Sequence, residues 1–274
     1  YKEQSKRDTQ LQKSQTFVHL MNNWLEVKAT QVSKNHVNSI KASLELHVLG
    51  AIGKRPISEL TAMEAIEVLK PLQAKGHAEQ VKRLCQRINE IMNFAVNTGA
   101  IQINSLAKIH AAFINPVKKN LPTIKPEALP TLMQALTRAS IKIITRSLIE
   151  WQLHTMVRPS EASTARWDEI DFDKQIWVIP ADKMKKKDNG DHIVPLSPQA
   201  LAILEFIKPI SGHREFVFPA DRNPRSHTNS QTANMALKRM GFKDILVSHG
   251  LRALASTTLN EQGFDADVIE SALA

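Results

Sequence analysis

Apolar residues fall at helical spacing through the first hundred or so positions. Phe17, Leu20, Met21, Trp24 and Leu25 recur at three- and four-residue intervals, and Val37, Ile40, Leu44 and Val48 do so in a second stretch opening at Val32-Ser33. That period stacks side chains on one helix face, so each stretch predicts an amphipathic helix. Thr61 and Glu64 have capping-box spacing ahead of Ala65, Ile66 and Leu69, which predicts a third helix with a defined start. A fourth stripe, Val81, Leu84, Ile88, Ile91, Met92 and Ala95, runs to Thr98-Gly99. Four such helices make a small bundle, and the stripes are its core rather than a cofactor box.

The pattern breaks at Asn115. Pro116, Pro122 and Pro126 hinder helix continuation and favour extended backbone before each ring, so residues 115–125 are expected to link a domain over 1–114 to one over 126–274. Beyond the break the periodicity is mixed. Residues 126–136 and 141–153 predict helices, and 167–172 and 175–179 predict short strands. Ile193-Val194-Pro195 returns after a basic stretch from Lys183, which predicts a hairpin with a long tip. Phe216-Val217-Phe218-Pro219 is another short apolar run, and helices are expected over 231–240, 249–261 and 266–273. The expected fold class is α+β and mostly helical: a four-helix bundle, then a mixed α/β domain with a small antiparallel sheet.

Composition narrows the function classes. With 274 residues and 42% hydrophobic content the chain can build two cores. Its apolar runs stay far below the ~18 residues that cross a bilayer. The polar start, Tyr1 to Asp8, holds no signal-peptide core and reads like the interior of a helix, as if the chain were cut from a longer one. A single cysteine, Cys85, excludes an internal disulfide framework, suits a reducing compartment and sits on an apolar face as a packed thiol. The net charge of +9 is uneven: residues 1–120 hold 17 Lys+Arg against 9 Asp+Glu, a balance of +8, and residues 121–274 hold 19 against 18, a balance of +1. A basic first half suggests that it grips a polyanion, with simple solubility as the alternative. Lys34, His36, Asn38 and Lys41 on the second helix, and Lys82, Arg83, Arg87 and Asn93 on the fourth, suit phosphate gripping with some base-edge contact. An ordinary solvated face is the plainer alternative.

The candidate chemistry is metal-free. Ten histidines and one cysteine give neither His-x-x-x-His nor Cys-x-x-Cys spacing, and His192, His213 and His227 read as loop or surface groups. Neither a phosphate-binding Gly-x-x-x-x-Gly-Lys loop nor a paired-carboxylate signature occurs, so no cofactor is expected. What remains is a basic set: Arg158 in Val157-Arg158-Pro159-Ser160-Glu161, the segment Ser248-His249-Gly250-Leu251-Arg252, and Lys183, Lys185, Lys186 and Lys187 between them. Displacement at a phosphodiester builds charge on the non-bridging oxygens, and fixed cations aimed there lower the barrier. Arginine suits the task with its planar, permanently charged fork. His249 and Arg252 share one helix face. A hairpin lysine can protonate the leaving oxygen. Each piece has a plainer reading: Arg158 paired with Glu161, His249 exposed after a Ser248 cap, the lysines as a solvated tip. Their occurrence together, in this order, favours the phosphodiester.

These segments resemble the tyrosine recombinases, and more narrowly the integrases of phages and genomic islands related to the P4 phage integrase. The similarity lies in Met156 to Ala162 with Arg166-Trp167-Asp168-Glu169-Ile170-Asp171, in Ile179 to Lys185 with His192-Ile193-Val194-Pro195-Leu196-Ser197, and in Ser248 to Thr257. The resemblance implies that Arg158 and Arg252 bind the scissile phosphate and that Lys185 is the general acid toward a 5′-hydroxyl. It implies that His249 assists proton transfer, that Glu161 supports Arg158, and that Lys186 and Lys187 join the DNA contacts. It implies a core-binding domain followed by a catalytic domain, double-stranded DNA as partner, and a homotetramer on attachment sites. Accessory DNA-bending or excisionase proteins belong with such a system, and the cytoplasm at the nucleoid is its expected place. In the family a tyrosine attacks to form a 3′-phosphotyrosyl link. Here the one tyrosine is Tyr1, so the resemblance implies a piece lacking the arm-binding domain and the tyrosine segment, a monomer that binds DNA without cutting it. The alternative is an inactive DNA-binding or architectural protein on the same scaffold.

Overall fold

Thr16 starts the first helix by accepting the backbone N–H of His19 at 3.4 Å, and α1 runs Phe17–Ala29. Ser33 caps α2, Lys34–Leu44, in the same way, and the chain continues through a π-helical turn, Glu45–Leu49, and a short turn, Gly50–Ile52. The capping box forms ahead of α3, Ala62–Ala74: Glu64 Oε2 accepts from Thr61 N at 3.0 Å, and Glu64 N donates to Thr61 Oγ1 at 3.3 Å. The helix α4, Ala78–Asn97, ends at Gly99, whose φ of 75° is the left-handed conformation that glycine adopts without strain. The predicted stripes meet in one core, with Phe17, Leu44, Leu84, Ile88 and Ile91 buried. Cys85 belongs to it, and burial pushes its thiol up to about 11.

This computed structural model describes residues 15–117, 120–184 and 190–273, and the chain divides into two units between Lys118 and Lys119. In the second unit a 3-10 turn, Pro126–Ala128, leads into α5, Leu129–Arg138, followed by α6, Ile143–Thr155, and α7, Pro159–Ser163. The strand expected over 167–172 is mostly not one. Glu169 Oε2 accepts from Arg166 N at 3.1 Å and winds Trp167–Glu169 into a 3-10 turn, leaving β1 as Ile170–Asp171. Strands β2, Ile176–Ile179, and β3, His192–Pro195, complete an antiparallel sheet of order β1-β2-β3. Its register sets Ile170 against Trp177, Trp177 against Val194, and Ile179 against His192.

Periodicity missed the next helix. Ser197 caps α8, Pro198–Ser211, accepting from Ala200 N at 3.3 Å, with Pro198 where a missing N–H costs nothing. The apolar run Phe216 to Pro219 forms single bridges, Arg166 to Phe216 and Pro219 to His227, rather than a strand. Helix α9 is Thr232–Leu237, continued by a π-helical turn to Phe242, and α10, Gly250–Glu261, and α11, Ala266–Leu273, follow. Trp151 of α6 packs tilted against Trp177 at 5.3 Å between ring centroids and against Phe218 at 6.2 Å. Sheet and helices thereby share one core. The architecture is α+β and mostly helical, a helical bundle followed by helices around a small antiparallel sheet. Among the described residues no helix is long and apolar enough to cross a membrane.

Candidate active site

The end of α6 organises the site. Met156 caps it in the left-handed conformation, φ 56°, and turns the chain so that α7 begins immediately. Arg158 is the N-cap of α7 and Pro159 its first residue. Glu161, one turn in, reaches back with both oxygens: Oε2 accepts from the Arg158 backbone N–H and Oε1 from Arg158 Nη1, each at 2.8 Å. Glu161 is only 3% exposed, so its carboxylate is a fixed, desolvated partner that sets the guanidinium's direction. The pairing foreseen as the plain reading of Arg158 is therefore present, and it orients the arginine.

Helix α10 brings the second guanidinium to the same place. Arg252 Nη1 donates to the Met156 carbonyl at 2.8 Å, two residues from Arg158, and Nη2 donates to the Leu273 carbonyl at the end of α11. Burial lowers the Arg252 pKa first, and the charge of Arg158 lowers it further, while Glu161 and Glu270 oppose this. Arginine stays protonated at neutral pH, so the direction records chiefly that a charged group has been drawn out of water. Arg158 lies near enough for its charge to act on Arg252, and two guanidiniums so placed suit an anion.

His249 stands at the start of this helix, but Ser248 does not cap it. His249 is itself the N-cap residue, while the Ser248 hydroxyl donates to the buried Gln152 side chain and Ser248 N donates to Asn234 Oδ1 at 2.5 Å. Gly250 is needed for a different reason: a Cβ there would lie 2.3 Å from the Pro122 carbonyl oxygen. Thr123 Oγ1 donates to the Gly250 carbonyl at 2.7 Å, and Val247 N donates to the Pro122 carbonyl at 3.3 Å. The segment Pro122-Thr123 thus straps the turn carrying His249 and Arg252. Gln152, Asn234 and Thr123 gave no signal in the sequence, because each acts through one contact distant along the chain.

His192 corrects the surface assignment. It heads β3, is half-buried, and burial lowers its pKa; Glu161 opposes that shift, and Arg252 and Arg158 add to it. Lys183 donates to the Thr164 carbonyl at 2.8 Å and pairs with Glu169, so it is committed to the hairpin's base. Lys185, Lys186 and Lys187 lie outside the described residues. The cavity of about 880 Å³ beside the sheet is lined by Asp168, Glu169, Asp171, Asp173 and Asp182 against Arg166 and Lys183, an acidic balance unsuited to phosphate; neither Arg158 nor Arg252 lines it. Among the described residues no group of three or more metal-ligating side chains comes together.

In the first unit, Lys34, His36 and Asn38 are exposed on α2, as is Lys82 on α4. Lys41 faces Glu45 at 3.9 Å, and Arg83 pairs with Glu79 at 3.1 Å. A cleft of about 520 Å³ brings Ser39 and Ser43 together with Gln80, Arg83 and Arg87. Arg87 donates to Ser43 Oγ, and burial, then Arg83, lowers its pKa. Asn93 accepts from Asn104 Nδ2 at 2.7 Å, an internal use that competes with base contact.

Residues 122–274 match the phage integrase family, and residues 17–112 match the phage integrase central domain. Prophage integrase IntA of Escherichia coli (strain K12) is 51% identical over 268 residues, covering 98% of this chain and 64% of that protein. The integrase of Enterobacteria phage P4 is 33% identical over 257 residues, covering 88% of this chain and 58% of that protein. The chain therefore spans less than two thirds of the length of these relatives. A lambda integrase dimer bound to a COC′ core site shares the fold with a TM-score of 0.78 over 100% of this chain and 77% of that one, at 17% identity. The Tn1549 transposon integrase in complex with circular intermediate DNA gives 0.75 over 95% and 92%, at 13% identity.

Proposed function

This chain belongs to the phage integrase family, and on that premise we propose that it is the DNA-gripping and phosphate-activating part of a site-specific recombinase acting on double-stranded DNA. The observation that supports the reading is the proximity of Arg158 and Arg252, with the buried Glu161 holding the first and the Met156 carbonyl the second. A phosphodiester seated there meets two planar forks already oriented, and the charge that grows on its non-bridging oxygens as phosphorus becomes five-coordinate is neutralised without reorganisation. His249, at the head of α10, serves proton transfer at the same phosphate. Lys185 is assigned as the acid that protonates the departing 5′-oxygen. The family's tyrosine attack conserves the bond energy as a 3′-phosphotyrosyl link, so religation needs no ATP.

These 274 residues hold one tyrosine, Tyr1, outside the described residues, so we assign them DNA binding without cutting. The same fact favours a second reading, an inactive DNA-binding protein on this scaffold. The intact enzyme is assigned a homotetramer on attachment sites, as the lambda integrase tetramer bound to a Holliday junction suggests by fold, and a place among P4-type prophage or island integrases.

The test is equilibrium binding to a duplex selected from a random-sequence pool, followed across a salt series. Affinity should fall steeply with salt, and Lys82→Ala should reduce the log–log slope by about 0.9. Affinity that is flat in salt would remove the nucleic-acid reading. Hydroperoxide, offered as an external nucleophile, separates the two readings: strand scission that disappears in Arg252→Ala supports the recombinase, and none in the parent chain supports the inactive scaffold.

A further inference from the structure

We propose that His192 is a positioning residue of the phosphate pocket, taking up a proton when an anion settles between Arg158 and Arg252 and then donating its buried Nε2–H to Glu161. The inference rests on the phosphate-pocket reading above and adds to it a residue and a proton.

Strand geometry places the ring. Side chains alternate along β3, so His192 and Val194 share a side while Ile193, 57% exposed, faces away. The cross-strand partners of His192 and Val194 are Ile179 and Trp177, both fully buried. His192 therefore projects from the inward face of the hairpin. Its Nε2 has essentially no solvent contact and no hydrogen-bond partner among the described residues. Buried polar atoms are nearly always bonded, so this one asks for an explanation.

The charged groups facing the ring identify that state. They are Glu161 of α7, Arg252 of α10, and Arg158 at the cap of α7. Without an anion, burial holds the imidazole below the ordinary histidine pKa, with Glu161 opposing the shift and the two guanidiniums adding to it. A phosphodiester seated on the arginines cancels one positive charge of that pair. Glu161 then dominates the field at His192, and the protonated ring becomes favoured. The added proton gives Nε2 a hydrogen to donate, and the Glu161 carboxylate is the nearby acceptor. As Arg158 commits N–H groups to the phosphate, His192 supplies Glu161 with a second partner, which holds the carboxylate and the α7 start in place. The sign follows by linkage: a pKa below the ordinary histidine value in the free protein and above it in the complex means proton uptake on binding. Anion affinity then rises as pH falls through the pKa of the complex, and levels off below that of the free protein.

The experiment uses this chain with ¹⁵N-labelled histidine and arginine side chains. Its ring and Nε–H signals are followed between about pH 5 and pH 8 in sodium sulfate and in sodium chloride of equal ionic strength. Sulfate is tetrahedral and does not titrate in that range, so any proton taken up belongs to the protein. The His192 pKa should rise by about one unit in sulfate, which corresponds to about tenfold tighter sulfate binding at the acidic end. His192→Gln, which keeps a polar side chain but cannot titrate, should remove most of that tenfold dependence of affinity on pH. Sulfate that shifts the Arg158 and Arg252 signals while the His192 pKa stays put would overturn this inference alone. Sulfate that shifts neither arginine at any pH would overturn the phosphate-pocket reading and this inference with it.

Discussion

Arg252 is held from two sides in the second unit. Two of its N–H groups are held by the carbonyls of Met156 and Leu273, and burial together with Arg158 disfavours its charge. A guanidinium has five donors in a rigid fork, so it can be anchored on one side and still present the other to a phosphate; a lysine could not. Glu161 does the complementary work for Arg158. Glu161→Gln keeps the shape and removes the charge, and should cost about 2 kcal/mol, less than a fully buried pair because Arg158 keeps some water. A chemical-denaturation midpoint equal to that of the parent would show that the pair contributes nothing. The Arg158–Glu161 contact was legible in the sequence because a one-turn spacing is local. His192 was hidden beside a run of lysines, although His192, Val194 and Leu196 follow the strand's period of two.

The elements that hold these residues are short and depend on single contacts. The turn before α10 is fixed by Pro122-Thr123 on one side and by Gln152 and Asn234 on the other, and Gly250 is the only residue type that fits beneath the Pro122 carbonyl. Gly250→Ala should destabilise the chain by roughly 1–3 kcal/mol, as overpacking does, and should weaken DNA binding by displacing His249 and Arg252. Thermal unfolding checks this, and an unchanged midpoint would mean that the strap moves aside at no cost. The same scale shows where periodicity succeeds and fails. Helices α1, α2 and α4 carry one apolar stripe each and were read correctly. Helix α8 is apolar on several faces, with Phe206 and Ile210 exposed as well as Leu204 and Ile207 buried, so no stripe stands out. Trp167 to Glu169 looks like a strand because Trp and Ile favour strands, but the Glu169 carboxylate captures the Arg166 N–H and winds a turn.

Across the whole chain, charge and chemistry are divided. Residues 1–120 carry a balance of +8 and a cleft with Arg83 and Arg87, whereas residues 121–274 carry +1 and the two converging arginines. Such a division suits a protein whose first unit supplies sequence-tolerant attraction and whose second concentrates its cations on a single phosphate. The charge asymmetry was readable by counting; the approach of the two arginines was not, because the 93 positions between Arg158 and Arg252 leave no local trace of it. The most direct measurement is a double-mutant cycle on DNA affinity at fixed salt, with Arg158→Ala, Arg252→Ala and the pair together. Two arginines sharing one phosphate should show a coupling of about 1 kcal/mol or more, the double variant losing less than the two single losses added. Losses that simply add, within about 0.3 kcal/mol, would place the two side chains on separate phosphates and contradict the account.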